Sequence, residues 1–458
     1  MNCYYYSLII PDRFRWVFCQ LDTLRRCMPS SIRKVLDELP TTLDETYERA
    51  LQGIPKEKQQ HAHHLFQCLV VAIRPLRVEE LAELFAIEFD QDSGPSLNEG
   101  WRPENPENAL LSACSTLIAV IKNNGSKIVQ FSHFSVKEYL TSGRLRTSES
   151  VRHYHIPLDA AHTVLAQACI TVLLQLDEKV DRKRLETFPL AYYAAQHWVD
   201  HAKYEDVASR FRGPIEQVFN PSKPHFAAWT WIHDMDRVDG QVCDHILEER
   251  PKQPETTALY YAVLCGFSEL ANHLIITNGE DVNVKCGYRG SPLHAASFKG
   301  HLDAARVLLT HGADVNTTNE DGGTPLCSAY TGGHLDVMRL LLEHGADADV
   351  QYNHLGALLH DASYHGRLDF VHLLLQQNID VNARNHLNSA PLHLASMKGD
   401  ATVVQLLLEH GAIVDAQGCG HATPLWYAST FSHLAVVQVL VAYGADVQWV
   451  SPIPGGYI

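Results

Sequence analysis

The sequence predicts a mainly α-helical protein, with a helical N-terminal half that carries one β-hairpin and a C-terminal solenoid of stacked helix pairs. Turn residues between two apolar runs indicate the hairpin, and proline, glycine and apolar stripes at fixed spacing indicate the helix pairs. A unit of about 33 residues recurs six times, and it opens at Thr257, Ser291, Thr324, Ala357, Ala390 and Thr423. A fixed period of this length is the sequence mark of a stacked array.

Each repeated unit contains the signals of two helices. The second unit opens with Ser291-Pro292-Leu293-His294, where a hydroxyl can cap a helix and proline suits its first position. A Gly300-His301 pair turns the chain into a second helix, whose apolar stripe ends at Gly312. Because one unit cannot bury both of its helices, we expect the units to fold as a stack.

The Thr-Pro-Leu-His-x-Ala core, kept for the most part in five units, resembles that of ankyrin repeats. The first unit diverges at 257–262 and has one extra residue. The fourth unit has Leu358 in place of proline, and the sixth has Trp426 in place of histidine. The resemblance implies a solenoid that binds other proteins with its hairpin tips and inner-helix ends.

Aromatic and cationic side chains recur at these tips and helix ends. The hairpin tips offer Tyr288, Arg289, Tyr352 and Arg384, together with Lys285, His354 and His386. The inner-helix ends offer Phe298, Lys299, Tyr364, His365, Met397, Lys398 and Phe431. Aromatic residues beside cations are typical of binding hot spots, although scattered exposed aromatics are common on any surface. Because these residues recur at one repeat position, we predict a partner-binding strip.

The last unit differs from a normal solenoid end. Its second helix, over 433–441, is apolar nearly all round, whereas soluble solenoids need a polar terminal cap. Either a partner covers this end or the chain stops short of its natural end, and the second interpretation is favoured. We also expect self-association through this uncapped repeat.

Charge and composition limit the classes of partner. The 458-residue chain carries a net charge of −16, and from Thr257 onward eighteen acidic residues stand against eight Lys and Arg. A nucleic-acid binder needs the opposite field, so we expect protein partners and no nucleic acid. No apolar run approaches the ~20 residues of a membrane span. The eleven cysteines lack paired spacing, and the N-terminus lacks a basic signal-peptide region. We therefore expect a cytoplasmic protein with no membrane partner.

The first half has the element order of a winged helix. Residues 15–24 and the segment after a turn at 39–42 have helical patterns, with Thr42 as an N-cap. Helices are then predicted over 61–73, from Val78, and over 108–115. Apolar runs at 117–121 and 128–131 flank Asn123-Asn124-Gly125-Ser126, a hairpin signal that marks the wing, and helix resumes at His133.

Three motifs in this half widen the resemblance. They begin at Leu39-Pro40, Arg74-Pro75-Leu76 and Phe131-Ser132-His133. In this order, followed by ankyrin repeats, they are similar to fungal NACHT–ankyrin proteins, which are NLR-like signal-transducing NTPases. The winged helix also resembles that of GPI inositol-deacylase-type proteins. The domains implied are a remnant of the NACHT C-terminal lid (1–56), a winged helix (57–148), a helical spacer (149–250), six ankyrin repeats (251–450) and a tail (451–458).

The phosphate-binding motif of these NTPases is absent. It reads Gly-x-x-x-x-Gly-Lys-Ser/Thr, and this chain contains no Gly-Lys dipeptide. We therefore predict no enzymatic activity and no cofactor. His133 matches a family histidine that contacts nucleotide phosphate, which makes it either a vestigial nucleotide sensor or, as favoured here, a histidine satisfied at the strand-to-helix junction.

Two further motifs are weighed and declined. His61 and His64 share a helical face, but no third metal ligand follows at suitable spacing, so we predict a solvated helix start and no metal site. The third helix of the winged helix, 108–115, contains no Lys or Arg. Because a groove-reading helix needs such donors, DNA binding is not expected.

The function predicted from the sequence is non-catalytic protein–protein recognition through the ankyrin surface, as the sensor half of an NLR-like receptor. One alternative is a signalling NTPase whose nucleotide-binding core is missing from this chain. Another is an adaptor that delivers bound proteins to a different complex. The identity of the partner does not follow from the residues.

Overall fold

The structure is a computed structural model that describes residues 42–89, 96–114, 116–123, 125–205, 207–236, 256–353, 356–377 and 379–449. The described chain divides into two compact units, one ending at Asp234 and one holding Met235, Asp236 and all residues from 256 onward. Both units are mostly helical, as predicted. The predicted helix 15–24, the rest of the lid remnant before Thr42, residues 237–250 of the spacer and the tail 451–458 lie outside the described residues.

The first unit opens with five helices and a small antiparallel sheet. The helices are α1 (Leu43–Gln52), α2 (Gln59–Val71), α3 (Val78–Ala82), α4 (Pro106–Cys114) and α5 (Phe134–Thr141). The sheet has the order β1-β5-β4, and its strands are β1 (Leu76–Arg77), β4 (Ile118–Asn123) and β5 (Ser126–Phe131). A separate two-stranded pair joins β2 (Ile87–Glu88) to β3 (Ser96–Leu97).

The predicted hairpin is confirmed and is longer than its apolar runs. Pairing continues from Val120 opposite Val129 out to Asn123 opposite Ser126. Gly125 turns the chain with a φ of 84°, a left-handed conformation that glycine adopts without a steric penalty. The polar residues next to the turn therefore extend the ladder beyond the limits that hydrophobicity alone predicts.

Thr42 caps α1 as the sequence predicts. Its side chain accepts a hydrogen bond from the Glu45 N–H at 3.2 Å, and the Glu45 carboxylate accepts from the Thr42 N–H at 3.3 Å. This reciprocal pair is a capping box, worth about 1 kcal/mol. The helix then buries Tyr47 and Leu51, and the Tyr47 ring lies 5.6 Å from that of Tyr139 on α5.

A buried carboxylate fixes the turn that separates α2 from α3. Glu80 is fully buried and accepts hydrogen bonds from both terminal nitrogens of Arg74 at 2.8 Å and from Arg77 Nε at 2.9 Å. Burial by itself would raise the pKa of Glu80, but the hydrogen bonds and charges of the two arginines hold this pKa below its ordinary value. The Arg-Pro-Leu motif is therefore held by an ion pair as well as by proline.

Helices fill the rest of the first unit and surround an aromatic core. They are α6 (Leu158–Leu173), α7 (Arg182–Leu185), α8 (Ala191–Ala202), α9 (Val207–Arg210), α10 (Arg212–Val218) and α11 (Pro224–Ile232). The rings of Trp198 and Trp229 meet edge to face at 5.3 Å, and Trp229 Nε1 donates to the Ala195 carbonyl at 3.0 Å. Because that indole is both buried and hydrogen-bonded, it joins α8 to α11.

The C-terminal compact unit contains the six predicted helix pairs. In order they are α12 (Ala258–Leu264) with α13 (Ser268–Asn278), α14 (Pro292–Lys299) with α15 (Leu302–Thr310), α16 (Pro325–Gly332) with α17 (Leu335–Glu343), α18 (Leu358–Tyr364) with α19 (Leu368–Leu375), α20 (Pro391–Lys398) with α21 (Ala401–Glu409), and α22 (Pro424–Thr430) with α23 (Leu434–Ala442). The first helix of each pair is called inner and the second outer. The chain between an outer helix and the next inner helix ends in a finger, and the third finger pairs β6 (Gln351–Asn353) with β7 (Gly356–Ala357).

The caps and the turns between helices follow the predicted pattern. Thr257, Thr324 and Thr423 each accept a hydrogen bond from the backbone N–H three residues later, at 3.2 to 3.4 Å. Gly300 ends α14 with a φ of 74°, and a Cβ at this position would clash with the imidazole of His334 in the next repeat. Glycine is therefore needed here both for the backbone conformation and for the close stacking of units.

Neighbouring repeats are joined by an apolar core and by the side chains of asparagine residues. One leucine of each outer helix from α15 to α23 is completely buried: Leu308, Leu341, Leu374, Leu407 and Leu440. Asn316 Nδ2 donates to the Gly345 carbonyl at 3.1 Å, and its Oδ1 accepts from the Asp347 N–H at 2.9 Å. Asn382 makes the same pair of bonds to the unit that follows it. The Asp-Val-Asn motif thus satisfies backbone groups that adjacent units leave unpaired.

Candidate partner-binding surface

The inner-helix ends predicted to bind a partner carry large side chains that are only partly covered. Phe298, Tyr364 and Met397 occupy the same repeat position and are half-buried, while Thr331 holds this position in the third unit and is exposed. Phe431 was assigned to the same row, but it is one residue later in its unit, in line with Lys299, His365 and Lys398. The first of these two positions therefore holds a large side chain in three units, and the second holds an exposed lysine in two of those units and an exposed histidine in the third.

Repeats four and five share a cation–π contact on this row. Lys398 Nζ lies 5.6 Å from the centre of the Tyr364 ring. The imidazole of His365, which is half exposed, meets the same ring edge-on at 5.0 Å. Tyr364, His365 and Lys398 therefore form one continuous patch in which an aromatic face lies between two nitrogen-bearing groups.

The first finger makes a tighter contact with the second repeat. The guanidinium carbon of Arg289 lies 3.4 Å from the centre of the Phe298 ring. Arg289 Nε is also 3.9 Å from Asp236 Oδ1, which leaves the arginine side chain largely buried. Arg289 thus covers one face of the Phe298 ring.

Asp236 stabilises the backbone of the same finger through hydrogen bonds. It accepts a hydrogen bond from the Tyr260 hydroxyl at 2.6 Å and another from the Tyr288 N–H. These bonds leave the Tyr288 side chain 70% exposed at the fingertip. A rigid backbone that presents one large exposed aromatic ring is suited to contact with a protein, because little entropy is lost on binding.

Tyr352 and Arg384, also assigned to the surface, are partly used inside the fold. Tyr352 pairs its hydroxyl with Thr331 Oγ1 at 2.9 Å and packs its ring edge-on against Tyr330 at 5.4 Å. Arg384 donates to the Gln417 carbonyl at 2.9 Å and to the Asn388 carbonyl at 3.0 Å. Arg384 remains exposed and therefore contributes its charge while it joins two fingers.

A buried polar cluster between repeats three and four was not predicted. The Tyr330 hydroxyl donates to Asp361 Oδ2 at 2.6 Å, and the guanidinium carbon of Arg367 lies 4.5 Å from the centre of the Tyr330 ring. Other units from the second onward have serine, not tyrosine, at the position of Tyr330, and Arg367 stands where three units have histidine. These two unusual residues in adjacent repeats were the sequence signal for the cluster. Either residue alone would leave a polar side chain without a partner.

His133 is part of the helix cap of α5. Its Nδ1 accepts from the Ser135 N–H at 3.3 Å and pairs with Ser135 Oγ at 2.5 Å, and Ser135 Oγ pairs with the Tyr47 hydroxyl at 2.8 Å. The imidazole also lies against Phe134, with 4.2 Å between ring centres. This geometry is that of a histidine engaged at the strand-to-helix junction.

Two histidines near the start of α2, His63 and His64, are partly buried against aromatic rings, which corrects the prediction of a solvated helix start for these two; His61 is exposed. His64 lies 4.4 Å from the Phe89 ring and His63 lies 6.0 Å from the Tyr154 ring. Burial is the main cause that lowers the pKa of each to about 4. Within the ranges the structure describes, no three His, Cys, Asp or Glu side chains converge on a metal site.

None of the helices in the described part of the chain combines the length and the apolar character that crossing a bilayer requires.

Comparison with known families identifies two kinds of domain in the chain. A family described as ankyrin repeats (three copies) matches residues 237–319, 259–352, 293–385 and 359–449. The family described as GPI inositol-deacylase, winged helix domain matches residues 47–152. The chain therefore carries ankyrin repeats and a winged-helix domain of the GPI inositol-deacylase type, as the sequence predicts.

Similar individual proteins are also found. "Azaphilone pigments biosynthesis cluster protein L" from Monascus ruber is 31% identical over 287 residues, which is 60% of each chain. The human ASB11 ankyrin repeat domain is 32% identical, with 42% of this chain and 86% of that chain covered and a TM-score of 0.38. The ankyrin repeat domain of Bcl-3 is 30% identical, with coverages of 41% and 82% and a TM-score of 0.38.

The chain spans 60% of the length of its curated relative from Monascus ruber. The chain nevertheless contains ankyrin repeats. Repeats of this kind are generally non-catalytic modules that bind other proteins. The ankyrin repeats of this chain therefore indicate protein–protein interaction.

Proposed function

We propose that this chain recognises a protein partner with its inner-helix ends and fingers, and that it serves as the non-catalytic sensor half of an NLR-like signalling receptor in the cytoplasm. The observation that carries the proposal is the row of Phe298, Tyr364 and Met397. Packing of an inner helix needs only a small residue at this position, since Thr331 fills it in the third unit. Large side chains that the fold does not require are best explained by contact with a partner.

The contacts of these residues favour repeats four and five as the centre of the interaction. Phe298 is covered by Arg289 at 3.4 Å, whereas Tyr364 has only the looser contact with Lys398 at 5.6 Å. An aromatic ring at the edge of a cation–π pair can be covered further by an incoming side chain. Tyr364 is therefore the expected anchor.

Charge supports a protein partner over a nucleic acid. The repeats carry ten more acidic than basic residues, and the α4 segment of the winged helix contains neither lysine nor arginine. Phosphate contacts need a continuous basic field, which repeats of this net charge do not supply.

The receptor part of the proposal depends on domain order. A winged helix of this type followed by ankyrin repeats is the order of the NACHT–ankyrin proteins that the motifs resemble. The name of the Monascus ruber relative states no enzymatic step. Since no Gly-Lys dipeptide occurs in the chain, nucleotide chemistry is not part of the proposed function.

Site-specific photo-crosslinking tests this proposal. A benzophenone amino acid placed at Tyr364 should crosslink the full chain to a discrete protein in cells that express it. The same amino acid at Arg339, which is exposed on the outer helix α17, should not. Equal crosslinking from the two positions would contradict recognition by the inner-helix ends.

A further inference from the structure

The charges of the ankyrin unit are separated between its two sides. Fourteen of the eighteen acidic residues lie on the outer helices or in the turn directly after them. Of the eight basic residues, only Arg306 and Arg339 lie on outer helices. Five belong to fingers or inner-helix ends: Lys285, Arg289, Lys299, Arg384 and Lys398. The outer helices therefore carry six acidic residues against two basic ones, while most of the basic residues lie in the fingers and at the inner-helix ends.

The separation is most complete in repeats four and five. The fingers 351–356, 384–389 and 417–422 contain no acidic residue and include Arg384 and the histidines at 354, 386 and 421. The second finger differs, because Glu320 and Asp321 are exposed there. An acidic ligand is therefore disfavoured at the second finger and favoured further along the array.

Nearby acidic side chains are engaged by other groups of the fold, and one of them, Asp361, has its Oδ1 3.8 Å from His365 Nε2. Asp361 is buried and accepts the Tyr330 hydroxyl, and Asp400 caps α21 by accepting the N–H groups of Thr402 and Val403. Within the described residues, Lys398 has no carboxylate within 4.0 Å. Lys398 is exposed, and its ammonium group lies over the Tyr364 ring.

We infer that the patch of Tyr364, His365 and Lys398, together with the exposed Arg384, His386 and Leu387 of the finger that precedes the fifth inner helix, binds an acidic segment of the partner protein that also carries an apolar anchor. Lys398 and Arg384 supply the attraction, while Tyr364 and the 52% exposed Leu387 supply apolar area. The more acidic outer helices repel the same segment, so that the field orients it toward the fingers before contact. This inference rests on the proposed function and specifies the chemistry of the partner.

The test is a selection of phage-displayed random dodecapeptides on the immobilised full chain. Selected peptides should be enriched in Asp and Glu together with an aromatic or aliphatic residue. Lys398→Glu should weaken the binding of a selected synthetic peptide about tenfold, and Lys398→Arg should retain binding. Arg339→Glu is the matched control, because it makes the same charge change on the exposed outer side and should alter binding less than about twofold.

Several outcomes would overturn the inference. Selection of basic or neutral peptides, or no selection at all, would do so. Equal weakening by Lys398→Glu and Arg339→Glu would show an effect of overall charge without a defined surface. A single-stranded oligonucleotide that displaces the peptide at equal affinity would indicate a general polyanion surface. If crosslinking at Tyr364 captures a partner while acidic peptides fail, the proposed function stands and only the acidic chemistry is rejected.

Discussion

Lys398, the last residue of the fifth inner helix, lies with its ammonium 5.6 Å above the ring of Tyr364, which ends the fourth inner helix. The same contact has two consequences. It leaves the ring only partly covered, and it leaves the positive charge exposed beside an aromatic face. A partner that meets this pair gains a prearranged contact, because the side chains lose little freedom on binding.

Tyr364→Ala should weaken partner binding by about 1–3 kcal/mol, as truncation of a central interface aromatic does. Because the ring is only half-buried in the free protein, the loss of folding stability should be smaller, about 1 kcal/mol. Affinity for the crosslinked partner and a thermal melt of the same sample measure the two effects. Tyr443→Ala, which removes a 43% exposed tyrosine from the last unit, should leave affinity unchanged.

Tyr330→Phe should lower the free energy of unfolding by about 1–3 kcal/mol, because it leaves the buried carboxylate of Asp361 without its hydroxyl donor. Chemical denaturation of the variant measures this loss. In a double-mutant cycle with Asp361→Ala, the two changes should cost less together than the sum of their separate effects. Strict additivity would mean that the 2.6 Å hydrogen bond contributes no coupling energy.

The contrast between these two tyrosines shows what the sequence predicts and what it does not. Tyr364 follows from the repeat pattern, since counting positions from Ala357 places it at an inner-helix end. The Tyr330 cluster depends on Asp361 and Arg367, which are 31 and 37 residues away and meet Tyr330 only when units stack. Local pattern gives helices, caps and fingers, whereas contacts between exceptional residues in adjacent units require the stacked geometry.

Acid should destabilise the N-terminal compact unit, which contains His201. This fully buried imidazole pairs with His162 Nδ1 at 2.9 Å and with the Tyr193 hydroxyl at 2.8 Å. Burial, and next the charge of His162, lower the pKa of His201 to about 3, against about 6.5 when unfolded. Between these values the unfolded chain binds a proton that the folded unit does not, so stability falls as pH drops below 6.5.

Urea unfolding followed by tryptophan fluorescence at pH 7 and pH 5 measures this effect. His201→Gln should reduce the difference in unfolding free energy between the two pH values by about 2 kcal/mol. The control variant is His372→Gln, which changes an exposed histidine of the second unit. A pH dependence in His201→Gln equal to that of the unmodified protein would show that His201 does not carry the effect.

His133→Ala should lower the stability of α5. Neither the unmodified protein nor this variant should bind nucleotide. The imidazole satisfies the Ser135 N–H at the helix start, and loss of such a cap costs about 1 kcal/mol. Because the chain has no Gly-Lys phosphate loop, calorimetry with ATP or GTP should show no binding for either protein. Micromolar nucleotide affinity that disappears in His133→Ala would instead assign His133 a sensor role.

The outer face of the last repeat should drive self-association. Val441 is 44% exposed, whereas Leu408, at the same position in the fifth repeat, is 8% exposed because the sixth repeat covers it. Leu434 on the same helix is 69% exposed, while Val437 packs partly against the core. Apolar surface of this kind is removed from water when two chains meet, at roughly 25 cal/mol per Å².

Leu434→Lys with Val441→Lys should therefore raise the monomer fraction in sedimentation across a concentration series. A matched control, Ile276→Lys with Ile413→Lys, adds the same charge at two exposed apolar residues outside α23 and should have little effect. If both double variants shift the monomer fraction equally, added charge and not the α23 face is responsible. An unmodified chain that stays monomeric throughout the series would rule out association through this face, since the exposed apolar side chains would then be too weak to hold two copies together.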